Sequence, residues 1–163
     1  MNKRSFMPKL MVLALLFLVA CTDLRQSEYD LISDPFAADQ AELHEVVNNI
    51  AKDAMTANLD GLKGIHLVSD KFTKFGPRSF YRQNVQSTNE SEAAFFSSIR
   101  DLKLEVKDLK IDVFGEIGIA TYYPHYTFEK DGEKKSGSSR QTLVFLKTKG
   151  GWKIVHEHGT IKK

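Results

Sequence analysis

Two histidines spaced i, i+2, an arginine within an alternating apolar stretch, a set of tyrosines and a single cysteine are the groups through which this chain could do chemistry. From Trp152 to Thr160 apolar and polar residues alternate. Period two places Trp152, Ile154, His156 and His158 on one face of a strand and Lys153, Val155 and Glu157 on the other. An ordinary imidazole titrates near neutrality, so His156 and His158 can serve as acid or base; the alternative is that each bonds a buried backbone or carboxylate group. His156 and His158 also have two-ligand metal spacing, but a site needs a third protein ligand, and only His125 or a tyrosine offers itself. No metal or cofactor is therefore assigned. On the preceding segment Arg140, Thr142, Val144 and Leu146 share a face. A guanidinium there can hold a carboxylate through two parallel hydrogen bonds, or it can pair with Glu157 or Glu116. Tyr122, Tyr123 and Tyr126 can donate to a developing oxyanion, or fill core and interface. His44 and His66 fall in helical segments and read as incidental. Asp70, Glu105 and Asp112 read as solvated carboxylates.

The elements that must position these groups follow from periodicity. Leu43, Val46, Val47, Ile50, Ala54 and Ala57 recur at helical steps, which predicts a helix over about 40–58 with Asp39 as its N-cap. A short helix is expected over about 61–69 and a short strand at 72–75. Residues 76–87 read as polar loop. Asn89 and Glu92 have capping-box spacing, which opens a third helix to about Ile99. From Asp101 the period is two. The parity slips between Val106 and Leu109, which predicts a β-bulge. Turns at Gly115-Glu116, Asp131-Gly132 and Gly150-Gly151 then separate four strands in an antiparallel meander. Pro124 should bend the second of these and let His125 and Tyr126 switch faces. Helices followed by a meander make an α+β domain.

The N-terminus fixes where the domain should work. Lys3, Arg4 and Lys9 precede an apolar run from Leu10 to Ala20, about half the length that spans a bilayer as a helix. Leu18-Val19-Ala20-Cys21 resembles the lipobox of a bacterial lipoprotein signal peptide, and Cys21 is the only cysteine. The resemblance implies removal of residues 1–20, lipidation at Cys21, a tether over 21–39 and a domain over 40–163. It places the protein in the bacterial cell envelope, facing the periplasm from the outer membrane if the host is Gram-negative. Cleavage would remove three basic residues and no acidic one, leaving 20 basic against 21 acidic residues. That balance excludes a nucleic-acid binder, which needs a concentrated basic surface. With one cysteine no internal disulfide can form.

The stretch Arg140-Gln141-Thr142-Leu143-Val144-Phe145, followed by Gly150-Gly151-Trp152-Lys153-Ile154-Val155-His156-Glu157-His158, resembles the closing hairpin of SnoaL-like domains. These belong to the nuclear transport factor 2-like, or ketosteroid isomerase-like, superfamily. The resemblance implies a cone: a curved antiparallel sheet wrapped around three N-terminal helices, with a pocket at its open end, and a homodimer through the outer sheet face. Within such a pocket the Trp152/Ile154 and Val144/Leu146 faces are expected to point inward. That makes Arg140, His156, His158 and Tyr122 the candidate ligand contacts. The superfamily's catalytic carboxylates have no matching motif, which weighs against an enzyme. The expected function is thus a membrane-anchored domain that binds a small anionic or amphipathic ligand. The alternatives are an isomerase or dehydratase on a small organic acid or polyketide-like compound, and a dimeric assembly module.

Overall fold

The computed structural model describes residues 30–77 and 79–162. The signal segment 1–20, Cys21 and tether residues 22–29 lie outside the described residues. The first helix, α1 (Ala37–Met55), buries Leu43, Val47, Ala51 and Ala54. It starts earlier than the expected Asp39 cap. Phe36 occupies the N-cap position, and Asp39 instead pairs with Lys147 of the sheet. A second short helix, α2 (Leu59–Ile65), follows, with Asn58 capping it by accepting from the Gly61 N–H. After a three-residue strand, β1 (Thr73–Phe75), comes α3 (Val85–Ser97). Its capping box is Asn84 with Ser87, five residues before the expected Asn89 and Glu92. Asn89 and Glu92 therefore lie inside α3, free to face outward from its axis.

The remaining strands are β2 (Arg100–Phe114), β3 (Ile117–Lys130), β4 (Glu133–Thr148) and β5 (Gly151–Ile161). They pair antiparallel in chain order. The expected bulge in β2 is present as a register shift between Lys107 and Lys110, where Asp108 has φ 51°. The β3–β4 turn has Asp131 at φ 54° and Gly132 at φ 78°, the two positive-φ positions that a tight hairpin turn requires.

Two expectations about the sheet need correction. It is mixed, not antiparallel throughout, because β1 pairs parallel to β5. It is also not a cone wrapped around the helices. The strand order is β1-β5-β4-β3-β2, so β1 and β2 are unpaired edges and the sheet stays open. Bulges bend individual strands, but closure would require the two edges to share a ladder. The core lies between one face of this sheet and α1, with Leu43, Val47, Phe72, Ala120, Leu143, Phe145, Trp152 and Ile154 buried together.

Candidate functional site

The inward face of the sheet is set by a single residue. Val144 pairs with His156 and the next residue, Phe145, pairs with Ile154, so Val155 is an extra residue in β5. A bulge of this kind shifts the side-chain parity beyond it. Trp152 and Ile154 point inward as expected. Past the bulge it is Glu157, not His156 or His158, that faces the interior. On β4 the inward residues are Ser139, Gln141, Leu143 and Phe145, and the expected inward set of Arg140, Thr142, Val144 and Leu146 lies on the opposite face. Arg140 is exposed there. His156 accepts or donates one hydrogen bond with Thr73 of β1 at 2.8 Å. Both His156 and His158 pack edge-on against Phe75 on that outer face. The four proposed ligand contacts thus divide: Tyr122 lines the interior, and the other three do not.

Pro124 does not switch faces either. It interrupts the β3–β4 ladder without changing its register, since Tyr122 pairs with Gln141 and His125 with Ser138. Tyr122, Pro124 and Tyr126 all point inward, while His125 is exposed. Glu105 and Asp112 pair with Lys107 and Lys110 on the same strand, as solvated charges do.

Between the inward sheet face and the three helices is a cavity of about 420 Å³. Its walls are mostly apolar, with Ile50 and Ala54 from α1, Phe95 and Phe96 from α3, and Leu104 and Phe128 from the sheet. One region of the wall is charged. His66, the residue after α2, is nearly fully buried and is bridged to Ile154 of β5. Its Nδ1 lies 2.9 Å from Asn89 Oδ1, so Nδ1–H donates to that amide oxygen. Nε2 then faces the carboxylates of Glu157 at 3.8 Å and Glu92 at 3.9 Å. Lys74 of β1 places its ammonium 2.6 Å from Glu92 and 2.8 Å from Glu157. Gln141 completes the set by donating to Glu157 at 2.9 Å.

Charge controls the protonation states here. Burial opposes the imidazolium of His66, but Glu157, Glu92 and Asn89 outweigh it and raise its pKa above the ordinary value. Burial likewise opposes the charge on Lys74, and the same two carboxylates more than compensate. Burial favours the neutral acid of Glu157, yet Lys74 and His66 pull its pKa down to about 2. Tyr122 is pushed well above the ordinary phenol range by burial and, secondarily, by the charge of Glu157, so it stays protonated as a hydrogen-bond donor.

His66, Glu92 and Glu157 bring one ligand atom each within 4.8 Å of one another, close enough to hold a metal ion. The ammonium of Lys74 already bridges the two carboxylates, so a divalent ion would have to displace it. The donor set fits a proton-transfer group better than a metal centre. The reading that weighed against an enzyme is corrected by this cluster, whose groups give the cavity catalytic potential. His66 read as incidental because its partners come from three distant segments. A usable signal existed in Lys74: it shares strand parity with the buried Phe72, an inward position where a lysine needs anionic partners.

Comparison with known proteins gives a consistent frame. The SnoaL-like domain matches residues 43–161. No curated protein matches the chain. Among solved structures, a proposed dehydratase of the nuclear transport factor 2-like family from Streptomyces avermitilis superposes with a TM-score of 0.71 at 14% identity, covering 78% of this chain and 98% of its own. A nuclear transport factor 2-like superfamily protein from Salmonella enterica gives a TM-score of 0.72 at 20% identity, over 78% of this chain and 94% of its own. A proposed aromatic ring hydroxylase from Novosphingobium aromaticivorans gives 0.68 at 12% identity, over 78% of this chain and 91% of its own. At these identities the likeness concerns the fold.

Proposed function

This chain belongs to the SnoaL-like domain family, and on that premise we propose that it is an acid–base enzyme of isomerase or dehydratase type. Its substrate would be a small, largely apolar compound with an activated C–H bond beside a carbonyl. The observation that carries this reading is His66, whose Nδ1 is fixed by Asn89 and whose Nε2 faces two carboxylates in the cavity wall. In this reading neutral His66 takes the substrate proton at Nε2. Glu92 and Glu157 stabilise the imidazolium that results, and the Tyr122 hydroxyl donates to the carbonyl oxygen as it gains charge. The apolar walls keep water from the reacting carbon. An anionic ligand on Arg140 has no support, since Arg140 is exposed on the other face of the sheet. The neighbouring proposed dehydratase is consistent with this chemistry. Anchorage through Cys21 to the envelope remains part of the proposal.

The test is proton exchange. The protein is incubated in D₂O with a panel of hydroxy-ketones and β-hydroxy carbonyl compounds, and loss of the α-proton signal is followed by NMR. The wild type should exchange at least one compound faster than buffer. His66→Gln should reduce that rate by roughly 10²–10⁴-fold while the variant stays folded, as its circular dichroism spectrum reports. A wild type no faster than buffer across the panel, or a His66→Gln variant of full activity, would sink the reading.

A further inference from the structure

The loop between β1 and α3 carries an aromatic pair that packing within the domain does not explain. Phe80 is 92% exposed and Tyr81 79% exposed, and their rings meet edge to face at 5.7 Å. The base of the loop is nonetheless fixed. Lys74 and Gln83 exchange backbone hydrogen bonds at 3.0 and 2.9 Å, and the Ser79 N–H donates to the Gly76 carbonyl at 3.2 Å. Pro77 and Ser79 of the same loop line the cavity. The aromatic pair therefore stands at the rim of the site. From Lys71 to Asn89 the sequence has no acidic residue, and Lys71 and Arg82 are exposed.

We propose that this rim is a membrane-docking surface. Phe80 and Tyr81 insert into the interfacial region of a phospholipid bilayer while Arg82 sits against anionic headgroups, so that the cavity opens onto the membrane. Aromatic side chains favour that interface and basic residues favour an anionic one. The length of chain before the described residues permits the geometry. Leu31 lies against Gly115 at one end of the sheet, and Pro77 lies against Gly159 at the other. Gly115 precedes Ile117, which pairs with Leu146, and Gly159 pairs with Gln141. Leu146 to Gln141 is about 17 Å at roughly 3.4 Å per strand residue. Asp30 lies nine positions after Cys21, a span that reaches about 30 Å when extended. A lipid at Cys21 can thus sit in the same bilayer that the rim touches. The inference rests on the proposed anchor only for this proximity, and not on the acid–base chemistry.

The test uses the whole acylated chain in phosphatidylcholine vesicles containing brominated phospholipid, with and without phosphatidylglycerol. Trp152, the one tryptophan, is buried, so the parent fluorescence should not be quenched. Tyr81→Trp should add emission that the brominated lipid quenches at least two-fold, more strongly with phosphatidylglycerol. Tyr123→Trp, on the outer sheet face, should add emission that is not quenched. Absence of quenching in Tyr81→Trp, or equal quenching in Tyr123→Trp, overturns the proposal. The mass of the same preparation reports acylation of Cys21 separately. If Cys21 carries no lipid, quenching by added vesicles still decides the role of the loop.

Discussion

Lys74 is the residue on which the charge balance of the site turns. Its ammonium neutralises two carboxylates that would otherwise repel at close range, and it shares them with His66, whose pKa they raise. Removing one partner of a buried pair leaves an uncompensated charge, which typically costs about 3–5 kcal/mol. Lys74→Met should therefore lower stability by about that amount in urea unfolding, whereas Lys135→Met, an exposed lysine beside Glu133, should change it by less than about 1 kcal/mol. The pH dependence has a defined sign. Glu157 has a folded pKa of about 2, below its ordinary 4.5, so its contribution is complete above pH 4.5 and is lost as pH falls toward 2. His66 has a raised pKa, so its contribution is complete below pH 6.5 and is lost as pH rises through the higher folded value. Stability from this cluster should then peak between about pH 4.5 and 6.5. Turnover should behave differently. It needs neutral His66, so the rate should rise with pH through a value above 6.5, and Asn89→Ala should move that limb to lower pH by removing an acceptor that stabilises the imidazolium.

At the scale of elements, the bulge at Val155 decides which side chains meet. If the same residues paired without a bulge, Glu157 would turn to the outer face and His156 would enter the interior. Deleting Val155 leaves Ile154 opposite Phe145 and His156 opposite Val144 in a regular ladder and should keep Glu157 inward, whereas inserting a second residue after Val155 should disturb the site and destabilise the domain far more; circular dichroism melts of the two variants make the comparison. The bulge in β2 was legible because its two apolar runs change parity across Lys107-Asp108. The bulge in β5 was not, because Val155 and Val144 are as apolar as the inward residues beside them. The third helix was misplaced for a related reason: Asn89 and Glu92 have capping spacing, but their side chains serve His66 and Lys74. The sequence pattern cannot distinguish a cap from two polar residues one turn apart. Helix and sheet also touch closely at Gly118, where an added Cβ would fall 2.2 Å from Leu43 Cδ1. Gly118→Ala should cost about 1–3 kcal/mol through overpacking, seen as a lower melting temperature.

Over the whole molecule, the cavity exists because the helices stand off from an open sheet at one end while packing closely at the other. Trp152, Phe145 and Leu43 fill the closed end. Ile50 and Ala54, further along α1, face the cavity instead. Ala54→Phe should occupy part of that space. The expected outcome is retained or increased thermal stability with loss of substrate turnover, measured on one preparation; a variant that keeps full turnover would show that the substrate does not bind there. Among the described residues no helix is long and apolar enough to cross a membrane.

Taken alone, the order of amino acids determined the succession of helices and strands and the hairpin turns, because these depend on local periodicity and on residues such as Asp131-Gly132 that favour one backbone geometry; its closing hairpin also carried the resemblance to the SnoaL-like domain family. It also marked Cys21 as the expected anchor. Only the tertiary structure decided the open mixed sheet and the identity of the site. The edge pairing of β1 with β5 is parallel and joins residues more than eighty positions apart, as in the Thr73–His156 hydrogen bond. His66, Lys74, Glu92 and Glu157 come from four separate elements or their ends. Each is an ordinary polar residue in its own segment, and their chemistry arises only where the fold removes water and brings the charges together.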